Sequence, residues 1–506
     1  MCAGSLCVRR NGLLNKTRCF TVASGLGPDH NLGVYNNSVD TIERAFTERY
    51  FLCLDGEGFR PAFKVGPSAF TTPEFSEFSR LVSDAMPALP VLSSQQVVDS
   101  YRGPKQRVYQ AAYESLMQDA VTETDSLLSA FVKFEKQDVC KAPRVINPRS
   151  ARYNLRLGKY LKHAEHHFFK AINKAFGGRT QATVIKGYNA DQSAEILRQK
   201  WELFWDPVAI GLDASKFDMH VSVRALRYEH AFYAALFPRN KELRKLLRWQ
   251  LRNRGTARAV DGTVKFEMSG TRCSGDLNTS LGNCLLMCAM VWCYAREMGI
   301  DVELANNGDD CVVFLERKHA TAFRAWIPQW FRKRGFAMTV EDTVEEFEQV
   351  EFCQTKPVEL QSGWRMVRNL SAVLNKDPMC LLPVPNGKVY RKWLDAVGTC
   401  GGTLSKGVPV HGEFYKVFKR NGQDCGRLIN EVYRNRSQLQ LAQGVRDSTI
   451  DARSRVSYYY AFGILPDEQV AAETHFTNYK LDHEFGTPVP RDLLILNPGF
   501  NIATVQ

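Results

Sequence analysis

The sequence has no apolar run long enough to cross a bilayer. Its longest, from Cys284 to Ala295, covers about 12 residues, where a membrane helix needs about 20. The start, Met1-Cys-Ala-Gly-Ser-Leu-Cys-Val-Arg-Arg10, lacks the apolar core of a signal peptide. Any membrane attachment is therefore expected from elsewhere. Cysteine is not scarce, at 14 residues, but no short-spaced pair resembles a zinc site. Several sit in apolar helical context (Cys284, Cys288, Cys293), which points to free thiols in a reducing compartment. Internal repeats and low-complexity tracts are missing too, which excludes a repeat architecture.

What is there is bulk and positive charge. A chain of 506 residues exceeds one compact core and implies two or three subdomains, or one large elaborated domain. An apolar content of 44% supports a substantial core. A net charge of +12 favours an anionic partner, either nucleic acid or an acidic membrane surface.

Along the chain, residues 1–100 are mixed and turn-rich. Helices are expected from Ser38 to Arg49 with Ser38 or Asp40 as cap, from Thr71 with Pro73 in the first turn, and from Ser93. Arg102 to Arg107 reads as a basic turn feeding a helix to about residue 130, and Phe131 to Glu135 as a strand. From Lys133 to Lys186 the chain has 13 Lys and Arg against three acids, with the first of them on two expected strands around Pro143 and Pro148. Tyr160 to Lys174 reads as one helix carrying His163, His166 and His167, with no acidic or Cys partner to complete a metal site. Lys241 to Arg258 reads as a helix plus a basic loop facing nucleic acid. Pro328 to Gly335 closes a helix and Phe336 to Val340 is strand-like. Gln349 to Gln354 and Trp364 to Arg368 are expected to form a hairpin. Beyond residue 380, breaks are expected at Gly387, Gly398-Thr-Cys-Gly-Gly402 and Gly407 to Gly412, with a helix from Phe414 and an extended tail over the last 25 or so residues.

Three stretches carry chemistry. Asn306-Asn307-Gly308-Asp309-Asp310 lies between two short apolar runs and reads as a β-hairpin whose tip bears two adjacent carboxylates. Their repulsion is costly unless a cation sits there. Val208 to Asp213 is an apolar strand ending in a carboxylate, with Asp218 five residues on and a helix from Ser222 to Leu236. Ser269 to Asn283 contains Gly270 and Gly275 and runs straight into the apolar helix of Cys284 to Arg296, placing Thr279 and Asn283 on one face. Each also has a plainer reading, as a hairpin turn, a helix cap or a polar loop.

In combination, Asp213-x4-Asp218, then Ser274-Gly275-x3-Thr279-x3-Asn283, then Gly308-Asp309-Asp310 match, in order and separation, the three palm motifs of viral RNA-dependent RNA polymerases. The chain resembles most closely those of the tombusvirus family, carmovirus-like members in particular. The block from Lys133 through Pro143-Arg144-Val-Ile-Asn-Pro-Arg149, with Tyr153-Asn154 and Glu165-His166-His167, is similar to the fingers motif of that group, and Phe352-Cys353-Gln354 to its primer-grip turn.

The resemblance implies an α+β right-hand fold of palm, fingers and thumb. Residues 1–186 would form fingers and an N-terminal extension to the thumb, 187–227 and 266–383 the palm, 228–265 a fingers insertion, and 384–506 the thumb and C-terminal tail. It implies template-directed addition of NTPs to RNA by two-metal phosphoryl transfer. Asp213, Asp309 and Asp310 would hold two Mg²⁺, replaceable by Mn²⁺. Asp218, Thr279 and Asn283 would read the ribose 2′-hydroxyl, with Ser274 and Gly275 in a loop near the templating base. Lys133, Lys141, Arg144 and Arg149 would meet the triphosphate, Arg144 foremost, and Lys333 would serve as general acid for pyrophosphate. Expected partners are single-stranded template and nascent RNA, NTPs, a viral accessory replication protein and host factors. The expected setting is membrane-associated replication complexes in the host cytoplasm, with targeting through a partner or a segment outside this chain. A reverse transcriptase shares the palm logic but usually places a bulky residue where Asp218 and Asn283 stand. A non-enzymatic RNA-binding protein would explain the charge but not the acids.

Overall fold

A four-stranded antiparallel sheet lies at the centre of the computed structural model, which describes residues 4–23, 26, 31–55, 58–61, 69–384, 386–429, 441–479, 481 and 500–502. Its spatial order is Glu303–Asn307, Asp310–Glu316, Pro207–Ser215, Ala337–Val344. Val208, Ile210, Leu212 and Ala214 point from the central strand into the largest hydrophobic core. They meet the helix Thr279–Met298, whose apolar run is buried on almost every side, and the helices Pro73–Asp84, Glu165–Ala175, Val223–Leu236 and Arg317–Lys333. Ala209, Ala305, Val312 and Phe314 point the other way and are covered by Ile196, Leu197 and Trp201 of the helix Ala190–Trp201. Burial of one to four apolar side chains per strand on each face, at about 1.5–3 kcal/mol for each one larger than alanine, fixes the register.

A second sheet orders its strands Gly4–Arg10, Gly262–Ser269, Arg252–Ala259, Leu128–Val132, Val145–Ile146. One face packs Val132, Val264, Phe266 and Met268 against Val39, Ile42 and Phe46 of the helix Val39–Phe46. A third unit combines the hairpin Thr355–Leu360/Gly363–Arg368 with helices Gly387–Leu404, His411–Asn421, Ala452–Phe462 and Pro466–Asn478 around a separate core. The N-terminal segment joins the units. Gly4–Arg10 closes the five-stranded sheet, Thr21–Val22 pairs with Met379–Cys380, and Leu32–Tyr35 returns to pair with Gln137–Asp138.

The expected cap at Ser38 is in place, accepting the Thr41 N–H, Ser93 caps the helix expected from it by accepting the Gln96 N–H, and Pro73 opens its helix. Several expected elements differ. The helix after Arg102 ends at Gln118, since Asp119 turns extended, and the strand that follows is Leu128–Val132. The region of the three histidines is two helices, Ala151–Leu161 and Glu165–Ala175, not one. Beyond Trp249 the expected basic loop is the strand Arg252–Ala259, pinned on both sides by neighbours. The first arm of the late hairpin is Thr355–Leu360, and residues 352–354 form the turn that feeds it.

Gly398-Thr-Cys-Gly-Gly402 is no break but lies within the C-terminal half of the helix Gly387–Leu404. A Cβ at Gly398 would stand 2.7 Å from the Lys419 backbone nitrogen, and one at Gly401 2.0 Å from the Tyr415 ring. These glycines let two helices touch. Residues 482–499 of the expected extended tail lie outside the described residues, while Phe500–Ile502 pairs with Leu32–Tyr35. Among the described residues, no helix is long and apolar enough to cross a membrane.

Candidate active site

Asp213 and Asp310 are directly opposed in the antiparallel ladder, with Thr339 on the other side of Asp213. That register sets the two aspartate Cα atoms about 5 Å apart. The hairpin turn is tight. Asn307 pairs with Asp310, Gly308 takes φ +94°, and the buried Asn306 locks the tip. Asn306 Oδ1 accepts the Gly308 N–H at 3.1 Å and its Nδ2 donates to the Gly308 carbonyl at 2.7 Å. Asp213 stands inside the strand rather than at its end; two more residues follow before Lys216, at φ +49°, turns the chain.

The acidic groups load one another. Desolvation, and then the charge of Asp213, push the Asp309 carboxyl above the usual range. Desolvation raises Asp310 to about 6 against a hydrogen bond from Cys353, with Asp309 and Asp213 adding to the rise. Glu341, at a bulge in the strand Ala337–Val344, is raised by desolvation and then by Glu351, Asp310 and Asp213, so it faces the same cluster. Glu341 is a residue the sequence alone does not single out, since its place beside Asp213 comes from strand pairing. The turn at residues 352–354 also reaches the site. The Cys353 N–H donates to Asp310 Oδ2 at 3.0 Å, and Asn307 Nδ2 approaches the Cys353 sulfur at 2.9 Å. The three aspartate carboxylates do not all meet within 4.8 Å. The His/Cys/Asp/Glu group that does, among the described residues, is Asp395, Asp424 and Cys425, where Lys419 already lies 2.6 Å from Asp395.

Asp218 lies on the short helix Phe217–His220 and accepts two hydrogen bonds: Asn283 Nδ2 donates to Oδ1 at 3.1 Å, and the Ser274 hydroxyl donates to Oδ2. Desolvation still raises its pKa. The structure thus brings Asp218, Ser274 and Asn283 together. Thr279 is nearby in sequence, but its hydroxyl donates to the Cys273 carbonyl at 2.9 Å. Gly275, at φ +127°, lies against the backbone of Asn147 and Pro148, and the Asn147 N–H donates to the Ser274 carbonyl at 2.6 Å. Behind this set lies a fully buried ion pair missed in the sequence, Arg272 with Glu229. Arg272 Nε donates to Asn283 Oδ1 at 3.0 Å, and Glu229 also accepts from Asn278 and Tyr233, both at 2.8 Å.

The basic candidates divide. Arg144 is exposed, and its charge acts on Asp309. Lys133 lies beside it, its N–H donating to the Arg144 carbonyl at 2.8 Å, and both side chains flank Glu135. Lys141 is exposed, with its charge felt at Lys376 rather than at the aspartates. Arg149 is a correction. It is buried and spends four of its five N–H groups on Asp276 at 2.6 and 3.3 Å, on the Ser126 carbonyl at 2.7 Å and on Asn253 at 2.5 Å, so it has no free fork to offer a triphosphate. Lys186 acts on Asp309 as Arg144 does, because Val184 and Ile185 are bridged to Asn306 of the hairpin. Lys333 is exposed at the end of its helix, six residues before the Thr339 that neighbours Asp213.

Comparison with known proteins agrees with this geometry. The family model described as "Viral RNA dependent RNA polymerase" matches residues 6–484. The chain is 41% identical to the RNA-directed RNA polymerase of Tobacco necrosis virus (strain A), over 96% of this chain and 67% of that one. It is 40% identical to that of Tomato bushy stunt virus (strain Cherry), over 92% of this chain and 57% of that one. It is 39% identical to that of Turnip crinkle virus, over 92% and 60%. The chain thus spans between 57% and 67% of the length of these relatives. An opposed aspartate pair at a tight hairpin, a half-buried Asp–Asn–Ser set beside it and a match along nearly the whole chain lead to one assignment: the chain belongs to the viral RNA-dependent RNA polymerase family.

Proposed function

We propose that this chain performs template-directed addition of NTPs to RNA, replicating the genome of a positive-strand RNA virus. The carrying observation is the register that opposes Asp213 and Asp310 at the Gly308–Asp309 turn. In this reading Asp213 and Asp309, with Asp310, hold two Mg²⁺, or Mn²⁺ in their place. The donor set fits hard cations, which take carboxylate oxygens. The raised pKa values of Asp309 and Asp310 support the same reading, since they mark charge that the protein leaves uncompensated. Bound there, the two ions supply activation of the primer 3′-hydroxyl and neutralisation of charge on the triphosphate.

The chain's own residues do the rest. Arg144, with Lys133, orients the triphosphate by forked and point-charge contacts; Lys141 and Lys186 add positive potential at longer range. Asp218 and Asn283 take the ribose 2′-hydroxyl, and Ser274 holds Asp218 in place. Thr279 contributes by fixing the turn ahead of the helix. Lys333 hands a proton to the departing pyrophosphate. Residues 187–227 and 266–383 act as palm, 1–186 and 228–265 chiefly as fingers with the N-terminal extension, and 384–506 as thumb and tail. The partners are single-stranded template and nascent RNA, a viral accessory replication protein and host factors, in membrane-associated complexes of the host cytoplasm.

The test is incorporation of labelled NTPs on RNA and DNA templates, with and without primer, for the wild type and Asp309→Ala. The variant is expected to fold and to lose at least about a thousandfold in rate, equivalent to about 4 kcal/mol of transition-state stabilisation. Incorporation by the variant near the wild-type rate would overturn the reading.

A further inference from the structure

The N-terminal helix Val39–Phe46 runs on into a single π-helical turn, Thr47–Phe51. Such turns are rare and are frequent at functional sites. Two consecutive residues of this one reach the stretch that carries Arg144. Arg49 donates from Nε and Nη2 to the Ala142 carbonyl at 3.0 and 2.6 Å, and from Nε to the Pro143 carbonyl at 2.7 Å. Tyr50 reaches beyond Arg144. Its hydroxyl oxygen accepts a hydrogen from Asn147 Nδ2 at 2.9 Å, and the hydroxyl makes a side-chain hydrogen bond with Ser274.

The direction of each bond along this path follows from the hydrogens each group has. Ser274 has one hydroxyl hydrogen, and it goes to Asp218 Oδ2. The Ser274 oxygen is therefore the acceptor toward Tyr50, and the phenol is the donor. A directed chain results, from Asn147 to Tyr50 to Ser274 to Asp218, and Asn283 meets the other oxygen of that carboxylate. Tyr50 is 3% exposed, and burial together with the charge of Asp218 raises its phenol far above the ordinary value, so it keeps its hydrogen. The turn also packs against the helix Phe217–His220, which carries Asp218.

A plain core role accounts for the ring, whose centroid lies 5.4 Å from that of Phe46 under the five-stranded sheet. It does not account for the hydroxyl. Phenylalanine would fill the same space, whereas a buried O–H needs partners, and those of Tyr50 lie in the set around Asp218. We propose that Tyr50 is a positioning residue for recognition of the ribose 2′-hydroxyl: it keeps the Ser274 hydroxyl turned onto Asp218, so that the carboxylate meets the sugar in one orientation. The N-terminal segment thereby takes part in substrate choice as well as in joining the sheets. The inference rests on the polymerase reading and on the ribose role given there to Asp218 and Asn283.

The test is single-nucleotide addition by the full chain with an NTP and with its dNTP, each giving kcat and KM, for the wild type, Tyr50→Phe, Ser274→Ala and the double variant Y50F/S274A. Tyr50→Phe keeps the ring and removes the hydroxyl. It is expected to lower the ratio of kcat/KM for NTP over dNTP about fivefold, with the loss on the NTP side and dNTP addition unchanged. Ser274→Ala is expected to lower the ratio at least as far, and the double variant no further than Ser274→Ala, because one cut in a chain makes a second idle. Should Tyr50→Phe fail to fold, Asn147→Ala, which frees the phenol to turn from Ser274, takes its place and is expected to lower the ratio about twofold. An unchanged ratio in the folded variant would overturn the proposal. So would equal losses for the two sugars, the mark of a merely structural role, and so would effects that multiply in the double variant. A wild type that adds neither nucleotide would overturn the polymerase reading itself, and the proposal with it.

Discussion

Arginine donates hydrogen bonds and accepts none, and that property decides how Asn283 sits. With Arg272 Nε on its oxygen, the Asn283 amide must aim its NH₂ at Asp218, as it does. The buried Glu229 keeps Arg272 in place and neutral in sum, which the surrounding core requires. Arg272→Lys keeps the charge but removes the fork. It is expected to cut the ratio of kcat/KM for NTP over dNTP by about fivefold to tenfold, as loss of about 1 kcal/mol of orientation would. Asn283→Ala should cut it at least as much. Parallel steady-state kinetics with both sugars check this, and an unchanged ratio in Asn283→Ala would refute the ribose role.

Asp310 gives a second residue-scale prediction. Its carboxyl titrates near 6, above the ordinary 3.8, so the folded chain holds that proton more tightly than the unfolded chain does. The sign follows: in the absence of divalent ions this group favours folding most at low pH, and the benefit is lost as pH rises through about 6. Asp310→Asn is expected to remove about 1–1.5 kcal/mol of that pH dependence between about pH 5 and about pH 7.5. Melting in chelator at about pH 5 and about pH 7.5 measures it, and added Mg²⁺ should raise the wild-type Tm more at the higher pH.

At the scale of elements, the hairpin was legible because two short apolar runs around Asn-Gly-Asp leave few alternatives. The strand holding Asp213 was legible too, though not its last two residues, because Ala214 and Ser215 carry no strand signal of their own. What the sequence hid was long-range pairing. Arg149 looked like a phosphate ligand because its partner Asp276 is 127 residues away. Arg252 to Arg258 looked like a loop because charge masked an alternation that its neighbours enforce. Asp310 is steadied by a backbone N–H at Cys353, and a main-chain donor leaves no mark in a residue string. The glycines of the helix Gly387–Leu404 misled for the same reason, since Tyr415 and Lys419 fill the space a side chain would take. Gly398→Val is therefore expected to cost about 2–4 kcal/mol by driving the two helices apart, more than its helix propensity would suggest. Chemical denaturation would show this, and a variant within about 0.5 kcal/mol of wild type would refute it.

At the scale of the whole molecule, the right-hand class and its motif order were readable, while the way the N-terminal residues unite the parts was not. A chain of 506 residues needs more than one core, and among the described residues the main cores fall in three regions: on both faces of the central sheet, under the five-stranded sheet and among the C-terminal helices. The first two meet at the Asn147–Ser274 contact, which ties the loop holding Asp218 to the strand region carrying Arg144.

Among the described residues the third is joined to the N-terminal segment by a ladder of two residues, Thr21–Val22 on Met379–Cys380, with the Ala23 amide donating to the Pro378 carbonyl at 2.8 Å and its side chain buried at the edge of the C-terminal core. So short a seam can part without melting what lies on either side of it. Hydrogen exchange at Ala23 should then run well ahead of exchange in the central strand, and the hand can breathe there while the catalytic hairpin stays shut in its register.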